Sequence, residues 1–168
     1  TTAGASELTL TGTNSFGGTT TVNAGTLTLA GGAALIDTMA VTVDAGGLLK
    51  LAASETVGTL SGAGNVNLQG NVLTVADAAN ATFSGVLSGA GGALVKNGAA
   101  TFTLTNANTF GGGVTLTNGT LQVGNDAALG TGTLSFSAGR LSSDSASARA
   151  LANALSLSGG LSLGDATN

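Results

Sequence analysis

Short runs of alternating apolar and polar residues follow one another along the chain from Leu8 onward. Each run places Leu, Val or Phe at every second position and Thr, Ser or Asn between them, as in LTL, TTV, VTV and VTL. This period-two alternation predicts short strands with one buried and one solvated face. The residues predicted to line the core are Leu8, Leu10, Val22, Leu27, Leu29, Val41, Val43, Leu60, Leu68, Val75, Leu104, Leu121, Val123, Leu134 and Phe136.

The junctions between these runs are rich in glycine, with Asn or Asp nearby, as at residues 23–25, 44–47 and 88–91. Glycine allows the left-handed backbone that tight corners need. Only Asn97-Gly98 and Asn118-Gly119 have the form of a two-residue hairpin turn. The pattern therefore favours strands that turn corners and stack in parallel over an antiparallel sheet.

Two stretches break the alternation. Residues 31–39 read as a longer corner or loop. Residues 146–155, ASARALANAL, have a period that fits a short helix, but their alternating Leu and Asn fit a strand equally well. We therefore leave both readings of the second stretch open.

The strongest signal is an internal repeat. Residues 102–129 repeat residues 8–35 without a gap, 94 positions later, and share the Asn, Phe-Gly-Gly and Gly-Thr-Leu positions. LSGAG at 60–64 recurs 27 residues later at 87–91. The same offset of 27 separates Phe83 from Phe110, while 67 residues separate Phe16 from Phe83.

A repeat of this length that cannot bury its apolar face alone must stack on its neighbours. Taking 27 residues as one turn, we predict an all-β fold: a parallel β-helix (solenoid) of about seven turns of roughly 22–27 residues. The whole chain, 1–168, is predicted to be a single β-helix segment. Its repeat copies lie at 8–36 and 102–130, with a partial copy at 60–85.

Composition narrows the class of protein. The chain has 29 Gly, no Pro, Cys, His, Trp or Tyr, and 7% charged residues, while its 42% hydrophobic content argues against disorder. No apolar run reaches the ~18–20 residues of a membrane span. No basic stripe predicts nucleic-acid binding. The abrupt Thr-, Asn- and Gly-rich ends suggest a piece of a longer protein.

Without His or Cys, the usual catalytic triads and imidazole or thiolate metal sites are excluded. The carboxylates are scattered singly, and we predict that they are solvated turn caps. A paired-carboxylate site could arise only by stacking, for example of Asp44 near Asp77 or Asp37. Gly159–Asp165 (GGLSLGD) has the wrong spacing for a calcium repeat. We predict no catalytic residue, no cofactor and no metal.

Three polar or aromatic sets have a structural and a functional interpretation. Asn14, Asn23, Asn108 and Asn118 are predicted to bond backbone groups at the corners. Phe16, Phe83 and Phe110 could form a sugar-stacking platform, although core stacking is favoured. Thr-x-Thr pairs at Thr9, Thr19, Thr26, Thr103 and Thr115 resemble ice-binding arrays, but residues 48–71 lack them, which favours β-propensity on a solvated face.

The repeat resembles the passenger-associated transport repeat of bacterial autotransporters. Residues 8–29, LTLTGTNSFGGTTTVNAGTLTL, follow that pattern almost throughout, and residues 94–124 follow it with a Leu-Val-Lys lead-in. Departures are Asn106 where Gly is usual, Gly113 where Thr is usual, and Phe where Tyr is commoner. The corner geometry does not need the replaced groups.

This resemblance implies a right-handed parallel β-helix, exported across the outer membrane to the bacterial surface by a C-terminal barrel. The predicted role is a structural or adhesive stalk or self-associating scaffold without enzymatic activity. The alternative is a β-helical carbohydrate-active or carbohydrate-binding module. The predicted partners are further copies of the chain, joined end to end through open β-helix edges into filaments, and a host surface or glycan. No nucleic acid and no direct membrane insertion are expected.

Overall fold

The computed structural model describes residues 6–145 and 147–164. Within these residues all regular structure is β-strand, which confirms the all-β prediction. The strands are β1 (Glu7–Leu10), β2 (Thr19–Val22), β3 (Gly25–Leu29), β4 (Ala40–Val43), β5 (Gly47–Leu51), β6 (Glu55–Val57), β7 (Thr59–Ser61), β8 (Asn65–Asn67), β9 (Val72–Val75), β10 (Ala81–Phe83), β11 (Leu87–Ser88), β12 (Ala93–Lys96), β13 (Thr101–Leu104), β14 (Val114–Leu116), β15 (Thr120–Val123), β16 (Leu134–Phe136), β17 (Arg140–Ser143), β18 (Leu155–Leu157) and β19 (Ser162–Leu163).

The strands stack into three parallel faces around one core. Face 1 contains β1, β3, β5, β8 and β11, and face 2 contains β6, β9, β12, β14, β16 and β18. Face 3 runs from β2 through β4 and β7 to β10, β13, β15, β17 and β19, since Gly62 bridges Phe83 where its two sheets meet. The chain visits the faces in the order 1, 2, 3. The fold is thus a parallel β-solenoid of about eight turns.

The turns are shorter and more numerous than the sequence repeat suggested. Residues paired on adjacent turns lie between 17 positions apart, as for Leu48 and Asn65, and 22 apart, as for Gly25 and Gly47. One turn, which consists of three strands and three corners, fits in about 20 residues because most strands contain only three or four residues. The 27-residue offset is therefore longer than one turn.

The repeat copies lie on different faces of the solenoid. β1 of the first copy is on face 1, while the matching β13 is on face 3, four and two-thirds turns later. LSGAG at 60–64 begins on β7 of face 3, and its copy begins on β11 of face 1, one and one-third turns later. The unit that repeats is a strand with its corner, because all three faces require the same alternation.

The inward side chains form one continuous apolar core. Thirteen of the fifteen predicted core residues are buried, and the two exceptions lie on β1: Leu8 is 50% exposed and Leu10 is partly buried. β1 pairs with β3 on one side only, so its inward side chains lack the covering turn that interior strands have. The core prediction holds wherever a strand has neighbours on both sides.

The two irregular stretches behave differently. No strand lies between β3 and β4, which confirms a long corner at residues 31–39. For residues 146–155, Ala146 lies outside the described residues, residues 147–154 have no regular structure, and β18 begins at Leu155. The strand reading is correct at the end of that stretch, and the helix reading is not supported in its described part.

The two equivalent phenylalanines give a matched test of this packing. Phe110 is fully buried between turns, whereas Phe16 is 46% exposed on the first turn. Phe110→Ala should lower the free energy of unfolding by about 3–5 kcal/mol because it leaves a cavity. Phe16→Ala should cost about 1 kcal/mol, since half of its ring is already in water. Urea unfolding followed by circular dichroism measures both, and equal losses would contradict the described packing.

Candidate functional surface

The outward positions of the solenoid form ladders of hydroxyl and amide side chains. On face 3, strand pairing aligns one outward residue from each of seven successive turns. These are Thr21, Thr42, Ser61, Thr82, Thr103, Gln122 and Ser142. Thr103 and Ser142 are buried all the same, while the other five are at least partly exposed. Two pairs of neighbouring residues in this ladder are joined by side-chain hydrogen bonds. The hydroxyls of Thr42 and Ser61 are 3.1 Å apart, and Thr103 donates to Gln122 Oε1 at 3.0 Å.

The threonine pairs are distributed over the three faces. Thr26 and Thr28 lie on face 1, Thr19 on face 3 and Thr115 on face 2. An ice-binding plane needs its threonines on one flat face, and this distribution does not provide one. Threonine serves here as a strand-forming residue. The prediction of a solvated face is wrong for Thr28 and Thr103, which are only 5% and 8% exposed.

The three phenylalanines do not form a platform. Phe83 is fully buried on face 3. Phe110 is fully buried at the face 1 position of its turn. Core stacking is confirmed for these two rings. Phe16 instead lines an open pocket of about 430 Å³ at the first turn, together with Leu8, Leu10 and residues of β2.

Three of the four corner asparagines, Asn14, Asn23 and Asn108, connect one turn with the next through their side chains. Asn14 donates to the backbone oxygen of Ala34 at 2.9 Å, and Asn108 makes the matching bond to Ala128 at 2.6 Å while accepting from the Leu87 amide. Asn118 accepts from the amide of Gly119. These bonds confirm the backbone role, except at Asn23, whose amide donates to the Asp44 carboxylate at 2.7 Å.

An ion pair lies inside the solenoid. Lys96 Nζ is 2.9 Å from Asp77 Oδ1, and both side chains are completely buried. The ammonium also donates to the backbone oxygens of Gly98 and Asn118, at 2.5 and 3.3 Å. Neither Asp77 oxygen accepts an aligned hydrogen bond from a described residue, so the contact holds by charge attraction. Three successive turns meet at this one ammonium group.

Local sequence explains why this charge points inward. In β12, Lys96 has the same parity as Leu94, and strand pairing places it in a core column between Val75 and Leu116. The corner beside it must then contain glycine. A Cβ on Gly119 would lie 2.7 Å from Lys96 Nζ, and one on Gly98 would lie 2.1 Å from the Asp77 backbone oxygen. The two Asn-Gly pairs are corners around the ammonium, not hairpin turns.

The prediction that all carboxylates are solvated turn caps is wrong for two of them. Asp77 is buried against Lys96, and Glu55 is 3% exposed while accepting from the amides of Ala34 and Leu35. The burial of Glu55 could have been predicted from the alternation of β6, in which Glu55 lies on the same side as Val57. Sequence reasoning missed both because it treated acidic residues as exposed.

Stacking does not pair Asp44 with Asp77. Asp44 follows β4 and accepts from Asn23, whereas Asp77 follows β9 at another corner and contacts Lys96. In the part of the chain that the structure describes, no group of three or more Asp, Glu, His or Cys could hold a metal. Nor is there, in that part, a helix long and apolar enough to cross a membrane.

Comparison with known proteins connects these features to a repeat family. The model of the passenger-associated-transport-repeat matches residues 1–29 and 94–123, about a third of the chain. The chain therefore carries two such repeats, at the positions where the resemblance to autotransporter passengers was found. No curated protein matches the chain. No solved structure matches it either.

Removing one partner of the buried pair should be costly. Lys96→Ala leaves the Asp77 carboxylate buried without a counter-charge, and we expect a loss of about 3–5 kcal/mol in the free energy of unfolding. Lys96→Met combined with Asp77→Asn removes both charges and should cost less than the single change. Urea unfolding compares them with Lys50→Ala, whose side chain is partly exposed and 4.0 Å from Glu7. A Lys96 loss no larger than that of Lys50 would refute a stabilising buried pair.

A second ion pair should appear in a pH titration. The hydrogen bond from Arg149 to Asp144, 2.8 Å long, together with the positive charge of Arg149, holds the pKa of Asp144 below its usual value, against a smaller opposing effect of burial. Its stabilising effect should be present above the ordinary carboxyl pKa and be lost as the pH falls through the lowered value. NMR titration of the Asp144 carboxyl should show a higher pKa in Arg149→Gln. Arg140→Gln, which removes a different arginine, should leave it unchanged.

Proposed function

We propose that this chain is a structural and adhesive segment of the surface-exposed passenger of a bacterial autotransporter. It acts as a stalk or scaffold and performs no catalysis. The observation that supports this most directly is that the described parts of the two matched repeats, 6–29 and 94–123, are built into one continuous solenoid, about four and two-thirds turns apart. Repeat and fold agree on the same architecture.

The energetics of the fold suit a stalk. Each turn pairs its strands with the turns before and after it, so stability is a sum of local interfaces along one axis. The apolar core extends from Val22 in β2 to Leu141 in β17 among the described residues. The buried pair of Asp77 and Lys96 adds a polar contact between turns halfway along.

The outer surface suits contact with water and with other macromolecules. Thr, Ser, Asn and Gln dominate the outward columns, and two of the few charged contacts there are the pairs Arg149–Asp144 and Lys50–Glu7. Such a surface supports recognition by hydrogen bonds over an extended area. A host surface or glycan is the ligand class that we propose for it.

Export to the cell surface is part of the proposal. The sequence has no cysteine, so no disulfide-closed loop obstructs passage of the extended chain through a narrow pore. The parallel turns can form one after another as the chain emerges, because each turn needs only the preceding turn as a template.

Surface display tests this function. The chain should be joined between a secretion signal and an autotransporter barrel and expressed in a Gram-negative host. We expect it to reach the cell surface, where antibody on intact cells detects a protease-resistant rod. Lys96→Ala should display a protease-sensitive product, because one buried charge is unpaired. Retention of the unaltered chain inside the cell, beside successful display of an established passenger on the same barrel, would refute the proposal.

The carbohydrate alternative has one observation in its favour, the half-exposed ring of Phe16 in an open pocket at the first turn. An exposed aromatic face can stack on a sugar ring. A screen against polysaccharides, repeated with Phe16→Ala, separates the two functions. Cleavage, or binding that depends on Phe16, would favour the carbohydrate module.

A further inference from the structure

The buried pair of Lys96 and Asp77 places an amino group beside a carboxyl group, with both shielded from solvent. Both side chains are completely buried, and Lys96 Nζ lies 2.9 Å from Asp77 Oδ1. Since Oδ1 is bonded to Cγ, the carboxyl carbon is at most about 4.1 Å from the nitrogen. The pairing of β12 with β9 sets this separation, because it places Lys96 beside Val75, two residues before Asp77. The two groups therefore meet only when these strands have paired.

The hydrogen bonds of Lys96 leave one direction of its nitrogen facing Asp77. Nζ donates to the backbone oxygens of Gly98 and Asn118, at 2.5 and 3.3 Å. A lysine ammonium has a third N–H group, yet neither oxygen of Asp77 accepts an aligned hydrogen bond from a described residue. A neutral amine has two N–H groups and one lone pair. The arrangement therefore matches an amine whose two hydrogens are held by backbone oxygens and whose lone pair faces the carboxyl group.

We propose that Lys96 and Asp77 condense to an intramolecular isopeptide bond, an amide between Nζ and Cγ. The two residues are 19 positions apart, so the bond closes a covalent ring around one turn of the solenoid and fixes β9 to β12. The chain has no cysteine, and this bond gives it a cross-link of another kind. The inference goes beyond the proposed function and does not depend on export or adhesion.

The reaction balances with water as its only by-product. The Lys96 ammonium transfers one proton to the Asp77 carboxylate, which gives an amine and a carboxylic acid. The nitrogen lone pair forms a bond to Cγ, and the π electrons of the C=O bond move to its oxygen. A second proton passes from nitrogen to the hydroxyl oxygen, the C–O bond to that hydroxyl breaks, the C=O bond re-forms, and water leaves. One positive and one negative charge disappear together, and nothing is oxidised or reduced.

Burial favours the isopeptide bond over the ion pair. Two desolvated charges are costly unless hydrogen bonds satisfy them fully, and the Asp77 carboxylate has no aligned donor among the described residues. The isopeptide bond has no charge, and the water that it releases returns to the solvent. The fixed positions of the two groups favour the rate, because well-oriented intramolecular groups react with effective concentrations of about 10⁵–10⁸ M. Glycine at position 119 leaves the space that the nitrogen occupies, since a Cβ there would lie 2.7 Å from Nζ.

Mass spectrometry of the purified, unaltered chain tests the bond. The main species should be lighter than the sequence mass by one water molecule. Trypsin added after unfolding should leave residues 51–140 as one peptide that lacks one water, because it does not cleave after a lysine whose nitrogen is in an amide. Cleavage after Lys50 should proceed and is the internal control, since Lys50 is partly exposed and 4.0 Å from Glu7.

Substitutions assign the bond to the two residues. Lys96→Arg keeps the positive charge but removes the primary amine, so this variant should have its full sequence mass, as should Asp77→Ala. Asp77→Asn should form the same bond with loss of ammonia and reach the same final mass as the unaltered chain. Lys50→Arg, the matched control, should still lose one water. Circular dichroism should confirm that each variant compared is folded.

A succinimide at an aspartate also lowers the mass by one water, and trypsin separates the two products. A succinimide leaves Lys96 open to cleavage, whereas the isopeptide bond blocks it. A folded, unaltered chain whose main species has the full sequence mass and is cleaved after Lys96 would overturn the inference. A water loss that persists in Lys96→Arg would overturn it as well. Surface display is measured separately and can succeed with or without the bond.

Discussion

Hydrogen bonding between parallel strands of successive turns is the constraint on which this structure depends. Every interior strand satisfies its backbone groups on the turn before and the turn after, so no turn is complete alone. This requirement sets the alternation, because an inward residue must stack on an inward residue. It also forces glycine where a corner lies against the backbone of the adjacent turn, as Gly98 does against Asp77.

The same constraint decides where a charge can be tolerated in the core. Lys96 occupies a column otherwise filled by apolar residues such as Val75 and Leu116, and it is accommodated because its ammonium reaches a corner that offers a carboxylate and two backbone oxygens. Burying the two charges has a desolvation cost that their attraction offsets only with such partners. The pair links turns at one corner, whereas the Asn14 and Asn108 amides link turns at others.

Much of the fold could be predicted from the alternation alone. Leu27, Val41 and Leu121 are buried as their parity requires, since each has a turn on both sides. Leu8 has the same parity but is half exposed, because β1 has a neighbouring strand on one side only. The parity of a residue does not show on which turn of the stack it lies. The predicted turn length was too long because the repeat offset is a whole number of strands and not of turns. The sequence alone does not show on which face a given strand lies. Asp77 could not be assigned from a local pattern, because its partner Lys96 is contributed by the next turn.

The displacement of the two repeat copies has a consequence for how such chains change length. β1 and β13 have matching sequence but lie on faces 1 and 3. A duplicated segment need not preserve the angular phase of the solenoid, because each face accepts the same strand-and-corner unit. Growth by single strands is therefore as compatible with the fold as growth by whole turns. A gene encoding such a protein can be lengthened by one strand and corner at a time, and not only by multiples of three strands. The length of the rod can therefore be adjusted in small steps.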